Sequence, residues 1–414
     1  MNTHTWRFGV AAMAALALAC QPDGRPVGPS SLASPALSAS REGVPFAEGL
    51  SSPGWQQMAR TLVIQAKLGP VGASRVYALV GVAQYLAVQQ AEAADTVGGR
   101  ALLETDRGAV AGASAAVLSA LFPTATDALE QRVAAESEAG PGQPHPDFIA
   151  GEAVGRTAAA GIVARGQADG FSTPFTGTVP VGPGLWLSSA KPPAPPVAGG
   201  QLPGVTPWFL TSGGQFLTTA GPPPVFGSPE YLAALAEIRQ LSDTRTAEQT
   251  RIAIFWAQNA GTITTPGYWN VIATDIINQH DMSEREATHV YALLNAAMFD
   301  AAIGCWTVKL TYWYIRPSQA DPGIKLIPEI GLPNHPSYPS GHSCGSSAAA
   351  EVLTEFFPDQ RDRLDAMVTE AGLARMYAGI HYRFDIEGAV RLGRATARFA
   401  IAADASGNSV LTPQ

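Results

Sequence analysis

From Trp55 to Ala403 the apolar residues of this chain recur three and four positions apart, in stretches rich in alanine, and no run alternates polar and apolar residues. A stripe of that period can be buried only by a helix packed on other helices, because a strand needs a period of two. Helices are predicted over Trp55–Gln90, Ser114–Ala135, Asp147–Gly166, Glu230–Leu241, Ile252–Gln258, Ser283–Trp306, Cys344–Phe357, Gln360–Ala374 and Asp385–Ala403. The fold class is therefore all-α.

Three short strings recur in the same order, which points to a degenerate internal duplication. Val76-Tyr77-Ala78-Leu79 returns as Val290-Tyr291-Ala292-Leu293. Val117 to Pro123 (VLSALFP) returns as Val352 to Pro358 (VLTEFFP), and Gly155-Arg156 returns as Gly393-Arg394. Two packed helical bundles follow: a first over residues 51–168 and a second over 229–414. Residues 169–228 connect them. They are rich in proline and glycine and carry Trp186, Trp208, Phe209, Phe216 and Phe226. Such a stretch is either a functional lid or a loop draped over helix ends.

The first twenty residues read as an export signal, with Arg7 before an apolar run over Val10–Ala19. Ala17-Leu18-Ala19-Cys20 is similar to a lipoprotein processing site, which makes Cys20 the expected lipid anchor and residues 21–50 a tether. The expected location is the periplasm or cell envelope, with membrane contact only through that anchor. No later stretch has about eighteen uninterrupted apolar residues. The net charge is −8 with no basic run, which excludes nucleic acid as a partner. Besides Cys20 there are only Cys305 and Cys344, which can pair in an oxidising compartment and otherwise read as two buried thiols.

Basic and imidazole groups gather in three clusters near the C-terminal end: Lys309–Pro317 (KLTYWYIRP), Pro336–His342 (PSYPSGH) and Arg375–Asp385 (RMYAGIHYRFD). Lys309 and Arg316 are seven apart, so on one helix they share a face and can grip one anion. Ser340 and Gly341 precede the helix predicted from Cys344, whose free first-turn amides attract anions. Gly379 breaks the chain before His381. His381 and Asp385 are one turn apart, so the carboxylate can hold the imidazole by Nδ1–H and leave Nε2 to bond phosphorus or a metal. Each cluster alone has a plain structural reading, as a solvated stripe, a helix cap or a surface hydrogen bond. Together they describe an oxyanion cage.

In this order and spacing the clusters resemble the K-x6-R-P, P-S-G-H and S-R-x5-H-x3-D signature of the vanadium-dependent haloperoxidases. The type 2 phosphatidic acid phosphatases and bacterial class A acid phosphatases share that signature. The one departure is Ala374 in place of the serine that opens the third motif. The resemblance implies a haloperoxidase-like pair of bundles, with vanadate bonded to His381. Lys309, Arg316, Ser340, Gly341 and Arg375 would bind its oxygens, and His342 would move protons. The implied partners are hydrogen peroxide, a halide and an unidentified organic acceptor. In the phosphatase branch the same His381 would take a phosphoryl group, with no vanadate. A non-catalytic oxyanion-binding lipoprotein is a third reading, disfavoured because it needs neither His342 nor a polarised His381. His335, five before Ser340, is similar to the histidine of the family's bromoperoxidases, where a fungal-type chloroperoxidase has an aromatic hydrocarbon. That favours bromide or iodide.

Overall fold

The computed structural model describes residues 49–94, 100–140, 142–191 and 196–413. The expected export signal over 1–20, Cys20 and nearly all of the 21–50 tether lie outside the described residues.

The first helices are α1 (Ser52–Gln65), α2 (Pro70–Ala94), α3 (Arg100–Leu121), α4 (Thr126–Ser137) and α5 (Pro146–Ala168). A small antiparallel hairpin, β1 (Glu138–Gly140) and β2 (Gln143–Pro144), separates α4 from α5. After it come the one-turn α6 (Leu217–Ala220), α7 (Pro229–Thr244), α8 (Ala247–Phe255) and α9 (Thr264–Ile277). Then follow α10 (Glu284–Tyr312), the one-turn α11 (Pro317–Ala320), α12 (Gly341–Phe356), α13 (Arg361–Tyr377) and α14 (Arg383–Ala405).

The first bundle packs α2, α3 and α5 on one another, and the second packs α10, α12 and α14. Helices α2 and α10 join the two bundles, so one continuous apolar core runs through both. Both helices are long and apolar enough to cross a membrane. In each, most of the apolar stretch (78% in α2 and 89% in α10) is instead buried inside the protein. They are the core helices of the two bundles.

The repeated strings occupy equivalent places. Phe122 closes α3 with φ −133° and ψ 71°, and Phe357 closes α12 with φ −133° and ψ 73°. Each is followed by one 3-10 turn beginning at a proline. Any side chain at Gly155 of α5 would collide with the backbone of Ala109 on α3, and one at Gly393 of α14 with that of Cys344 on α12. Arg156 pairs with Glu130 just as Arg394 pairs with Asp365. The duplication is thus present in packing as well as in sequence.

Four points need correction. The predicted helix 55–90 is two helices, broken at 66–69, and the one predicted over 114–135 is broken at Pro123. Helix α9 was not anticipated, because TTPGYWNVIATDII is rich in β-branched and aromatic residues of low helix propensity. Tertiary packing overrides that: Trp269, Ile272, Ala273, Ile276 and Ile277 are all buried. Finally, Lys309 and Arg316 do not share a helix. Helix α10 ends at Tyr312, Trp313 turns left-handed (φ 49°), and Arg316 stands in extended backbone ahead of Pro317. A helix would have to accommodate Pro317, which disfavours helical geometry at the residue before it.

The connecting segment is fastened down. Trp186 N donates to Trp313 O at 2.6 Å and Ile315 N to Gly184 O at 2.9 Å. The amides of Trp208, Phe209 and Leu210 converge on the buried Asp300 carboxylate at 2.7, 2.8 and 3.1 Å. Burial pushes the Asp300 carboxyl up to about 6, against the pull of those donors.

Candidate active site

Four elements bring the three clusters together: the end of α10 with the stretch beyond it, the loop into α12, the first turn of α12, and the α13–α14 junction. Ser340 caps α12, its Oγ accepting from Ser343 N at 3.4 Å, and its own amide donates to Asp385 O at 3.0 Å. The first-turn amides of Gly341 and His342 have no partner within the helix. A Cβ at Gly341 would lie 3.2 Å from the Trp306 ring, so glycine suits this turn. At the other junction Arg375 stands in the last turn of α13, Gly379 turns left-handed (φ 75°), and α14 begins at Arg383, two residues after His381.

His381 donates from Nδ1 to Asp385 Oδ2 at 2.8 Å. The same carboxylate oxygen accepts from Ser337 Oγ at 2.5 Å and Tyr382 N at 3.1 Å, so three donors fix it. His381 Nε2 is then the acceptor nitrogen, 3.2 Å from Arg316 Nη1. Arg316 also donates from Nη1 to Ile380 O at 2.8 Å, from Nε to His335 O at 3.0 Å, and from Nη2 to His335 Nδ1 at 3.0 Å. Lys309 Nζ donates to the carbonyls of Pro336 (2.8 Å), Ser337 (2.9 Å) and Pro339, and lies over the Trp306 ring. Arg375 Nη2 donates to Ala253 O at 2.7 Å, and its buried Nε has no partner.

Lys309, Arg316 and Arg375 are buried, and among the described residues none forms a salt bridge with a carboxylate. Buried charge without a counter-charge is costly. Burial accordingly lowers Lys309 to about 8, Arg316 to about 10 and Arg375 to about 9. Three such cations, with the unpartnered Arg375 Nε and the α12 amides, fit an oxyanion such as vanadate or phosphate, which would supply the missing negative charge.

His342 donates from Nε2 to Trp256 O at 3.0 Å, which leaves Nδ1 as an acceptor. Burial first, and the Arg375 charge next, lower its pKa to about 3, so the ring is neutral. His381 and His335 are also held far below the usual imidazole range, by burial and then by the Arg316 and Lys309 charges. Asp385 is raised by burial to about 6.

All nine residues singled out from the sequence meet in this region. His335, Gly341, His342, Arg375 and His381 line a cavity of about 450 Å3, while Lys309, Arg316, Ser340 and Asp385 stand behind them. Sequence reasoning missed Ser337, which secures Asp385, and Trp306, which backs Gly341 and Lys309. Ser337 lies inside the P-S-Y-P-S-G-H string, so its position was a usable signal. Nothing local marks Trp306. Cys305 and Cys344 are buried free thiols.

Residues 288–405, which contain the whole cage, match the PAP2 superfamily model. A non-specific acid phosphatase from Providencia stuartii is 28% identical over 175 residues, which is 41% of this chain and 66% of that relative's length. A structure described as the first bacterial vanadium-dependent iodoperoxidase superposes with a TM-score of 0.71 at 23% identity. The match covers 85% of this chain and 95% of that one. A holo-type bacterial vanadium-dependent chloroperoxidase gives a TM-score of 0.63 at 15% identity, over 80% of this chain and 92% of its own. The apo-type structure gives 0.65 at 15% identity, over 83% and 96%. At these identities the likeness to the solved structures is one of fold.

Proposed function

We propose that the protein is a vanadate-dependent haloperoxidase oxidising bromide or iodide with hydrogen peroxide, from the premise that residues 288–405, which match the PAP2 superfamily model, form a domain of that family. The observation that carries the choice of branch is the paired-bundle fold. The haloperoxidase likeness spans 85% of the chain, including the first bundle, whereas the acid phosphatase likeness spans 41%.

His381 Nε2 would bond the vanadate, with Arg316, Arg375 and the amides of the α12 first turn around its oxygens and Lys309 supplying charge from behind. Vanadate, when bound, supplies a Lewis-acid centre that makes hydrogen peroxide electrophilic toward halide. The other steps belong to the chain. Asp385 keeps the His381 proton on Nδ1, so the lone pair points into the cage. His342 Nδ1 accepts a proton from incoming peroxide, because its Nε2–H is committed to the Trp256 carbonyl. The cations withdraw electron density from the bound anion. His335, packed on Trp306 with its Nδ1 on Arg316, stands where a large halide would approach.

Phosphate-ester hydrolysis is the second reading, favoured by the Providencia relative. His381 would then attack phosphorus and His342 would protonate the leaving alcohol. Purified protein with and without added vanadate separates the two. Vanadate-dependent bromination or iodination by peroxide supports the peroxidase, whereas ester hydrolysis inhibited by vanadate overturns it. Export and anchoring at Cys20 are part of the proposal and rest on residues 1–20 alone.

A further inference from the structure

A lysine ammonium carries three N–H donors. Lys309 commits all of them: Nζ donates to the carbonyls of Pro336 at 2.8 Å, Ser337 at 2.9 Å and Pro339. It is fully buried and stands behind the 450 Å3 cavity rather than in its wall. Arg375 is the opposite case. It lines that cavity, makes one hydrogen bond, to Ala253 O at 2.7 Å, and keeps its buried Nε without a partner. Arg316 differs again: its Nη1 donates to His381 Nε2, the nitrogen assigned to the anion, and that donor is freed when the nitrogen is used.

The carbonyls that Lys309 holds belong to the loop that carries Ser337. Every polar atom of Ser337 is engaged: its amide donates to Tyr314 O at 2.9 Å, its carbonyl accepts from Lys309 Nζ, and its Oγ donates to Asp385 Oδ2 at 2.5 Å. Asp385 depends on that last bond. Its Oδ1 is buried without a partner, so Oδ2 alone, with Ser337 Oγ, Tyr382 N and His381 Nδ1 as donors, fixes the carboxylate. A continuous chain of contacts therefore runs from Lys309 through Ser337 and Asp385 to His381, and it touches all three sequence clusters.

We propose that Lys309 is a positioning residue and not a ligand of the anion. It clamps the 336–339 loop, Ser337 then fixes Asp385, and Asp385 presents His381 Nε2, leaving direct contact to Arg316, Arg375 and the first-turn amides of α12. The resemblance implies that Lys309 binds the oxygens itself; its three committed donors say otherwise. The proposal rests on the reading of His381 as the residue that bonds vanadate, and it holds equally for the peroxidase and the phosphatase branch. Partners that orient a bonding histidine through a carboxylate typically carry about 10- to 100-fold in affinity without touching the bound group.

The test is equilibrium dialysis of the full chain with orthovanadate, on wild type, Lys309→Met, Ser337→Ala and the double variant. Each single change should weaken binding about 10- to 100-fold. In the Lys309→Met background, Ser337→Ala should cost less than about threefold more, because the loop it acts through is already loose. An equal cost of Ser337→Ala in both backgrounds means that the two residues act independently, and overturns the proposal. A second measurement needs no anion: exchange of the His381 Nδ1 proton with solvent, read by nitrogen–proton NMR on histidine-labelled protein and assigned by its loss in His381→Ala. Lys309→Met and Ser337→Ala should each speed that exchange about tenfold or more. Arg375→Gln should weaken vanadate binding and leave the exchange within about twofold of wild type. Unchanged exchange in Ser337→Ala, which deletes one oxygen and keeps every bond of Lys309, overturns the proposal even where Lys309→Met fails to fold. A wild type that retains no vanadate overturns the assignment of His381 instead, and the exchange rates still decide what Lys309 and Ser337 do.

Discussion

Arg316 Nη1 lies 3.2 Å from His381 Nε2, so the guanidinium donates to the very nitrogen that the proposed function assigns to vanadate. On that proposal the arginine occupies the imidazole lone pair until the ligand displaces it. Arg316→Lys loses the fork that also reaches His335 and Ile380. The expected effect is a loss of vanadate affinity of about 10- to 150-fold, the scale of one charge-assisted hydrogen bond. Equilibrium dialysis measures it, and an unchanged affinity would mean that the guanidinium is only a strut for the loop.

His381→Ala is expected to abolish vanadate retention together with both candidate activities, because His381 is the imidazole that Asp385 holds with its second nitrogen beside Arg316. Dialysis against vanadate checks this. Stoichiometric tight binding by the variant would remove His381 from its role.

His342→Ala should separate holding from turnover. Vanadate stays bound, while peroxide-dependent turnover falls by about two to four powers of ten. The same residue carries a pH prediction. Burial and then Arg375 hold its pKa down to about 3, so in the ligand-free protein the ring stays neutral until the pH falls to about that value. A bound oxyanion offsets the Arg375 charge and moves the pKa upward. A carbon–proton NMR titration of the imidazole, with and without phosphate, reads both states; a downward shift on binding would contradict the assignment.

His335→Phe removes the acceptor of Arg316 Nη2, leaving that nitrogen a 3.4 Å contact with Pro336 O. Vanadate affinity should fall less than tenfold, about 1 kcal/mol. The bromide rate, or its pH profile, should change by more than the affinity does. Steady-state rates indistinguishable from wild type would reduce His335 to a loop residue.

Asp300→Asn replaces a carboxylate that accepts three backbone amides with a group offering one oxygen. The expected loss is about 1–3 kcal/mol, seen as a lower unfolding midpoint in urea. Hydrogen exchange should accelerate at Trp208, Phe209 and Leu210 in particular. Unchanged exchange there would show that the aromatic contacts alone secure the connecting segment.

Much of this was legible in the chain. The helical period marked most of the helices, and the three clusters marked the cage, because both are local patterns. What escaped were features decided by distant contacts. Trp313 turns left-handed where its ring stacks near Trp186 and its carbonyl accepts from the Trp186 amide, more than a hundred residues earlier, and Arg316 beyond it stands off the face it was predicted to share with Lys309. Helix α9 forms against its own propensities because Trp269 and its neighbours are buried. The cavity was invisible for a related reason: an open space is defined by what surrounds it, and Gly345, which lines it, reads in sequence as one more small residue in an alanine-rich helix.

The duplicated bundle gives the two halves different freedoms. Its second copy carries the three buried cations, Lys309, Arg316 and Arg375, and the three histidines that line the cavity. The other copy has the same scaffold (the Phe122 turn, the Gly155 contact, the Arg156 pair) while lending Gly69 and the start of α2, with Gly72, to the cavity wall. None of the residues assigned to the cage lies in that first copy, so a substitution along its share of the wall alters the cavity and leaves every one of them in place.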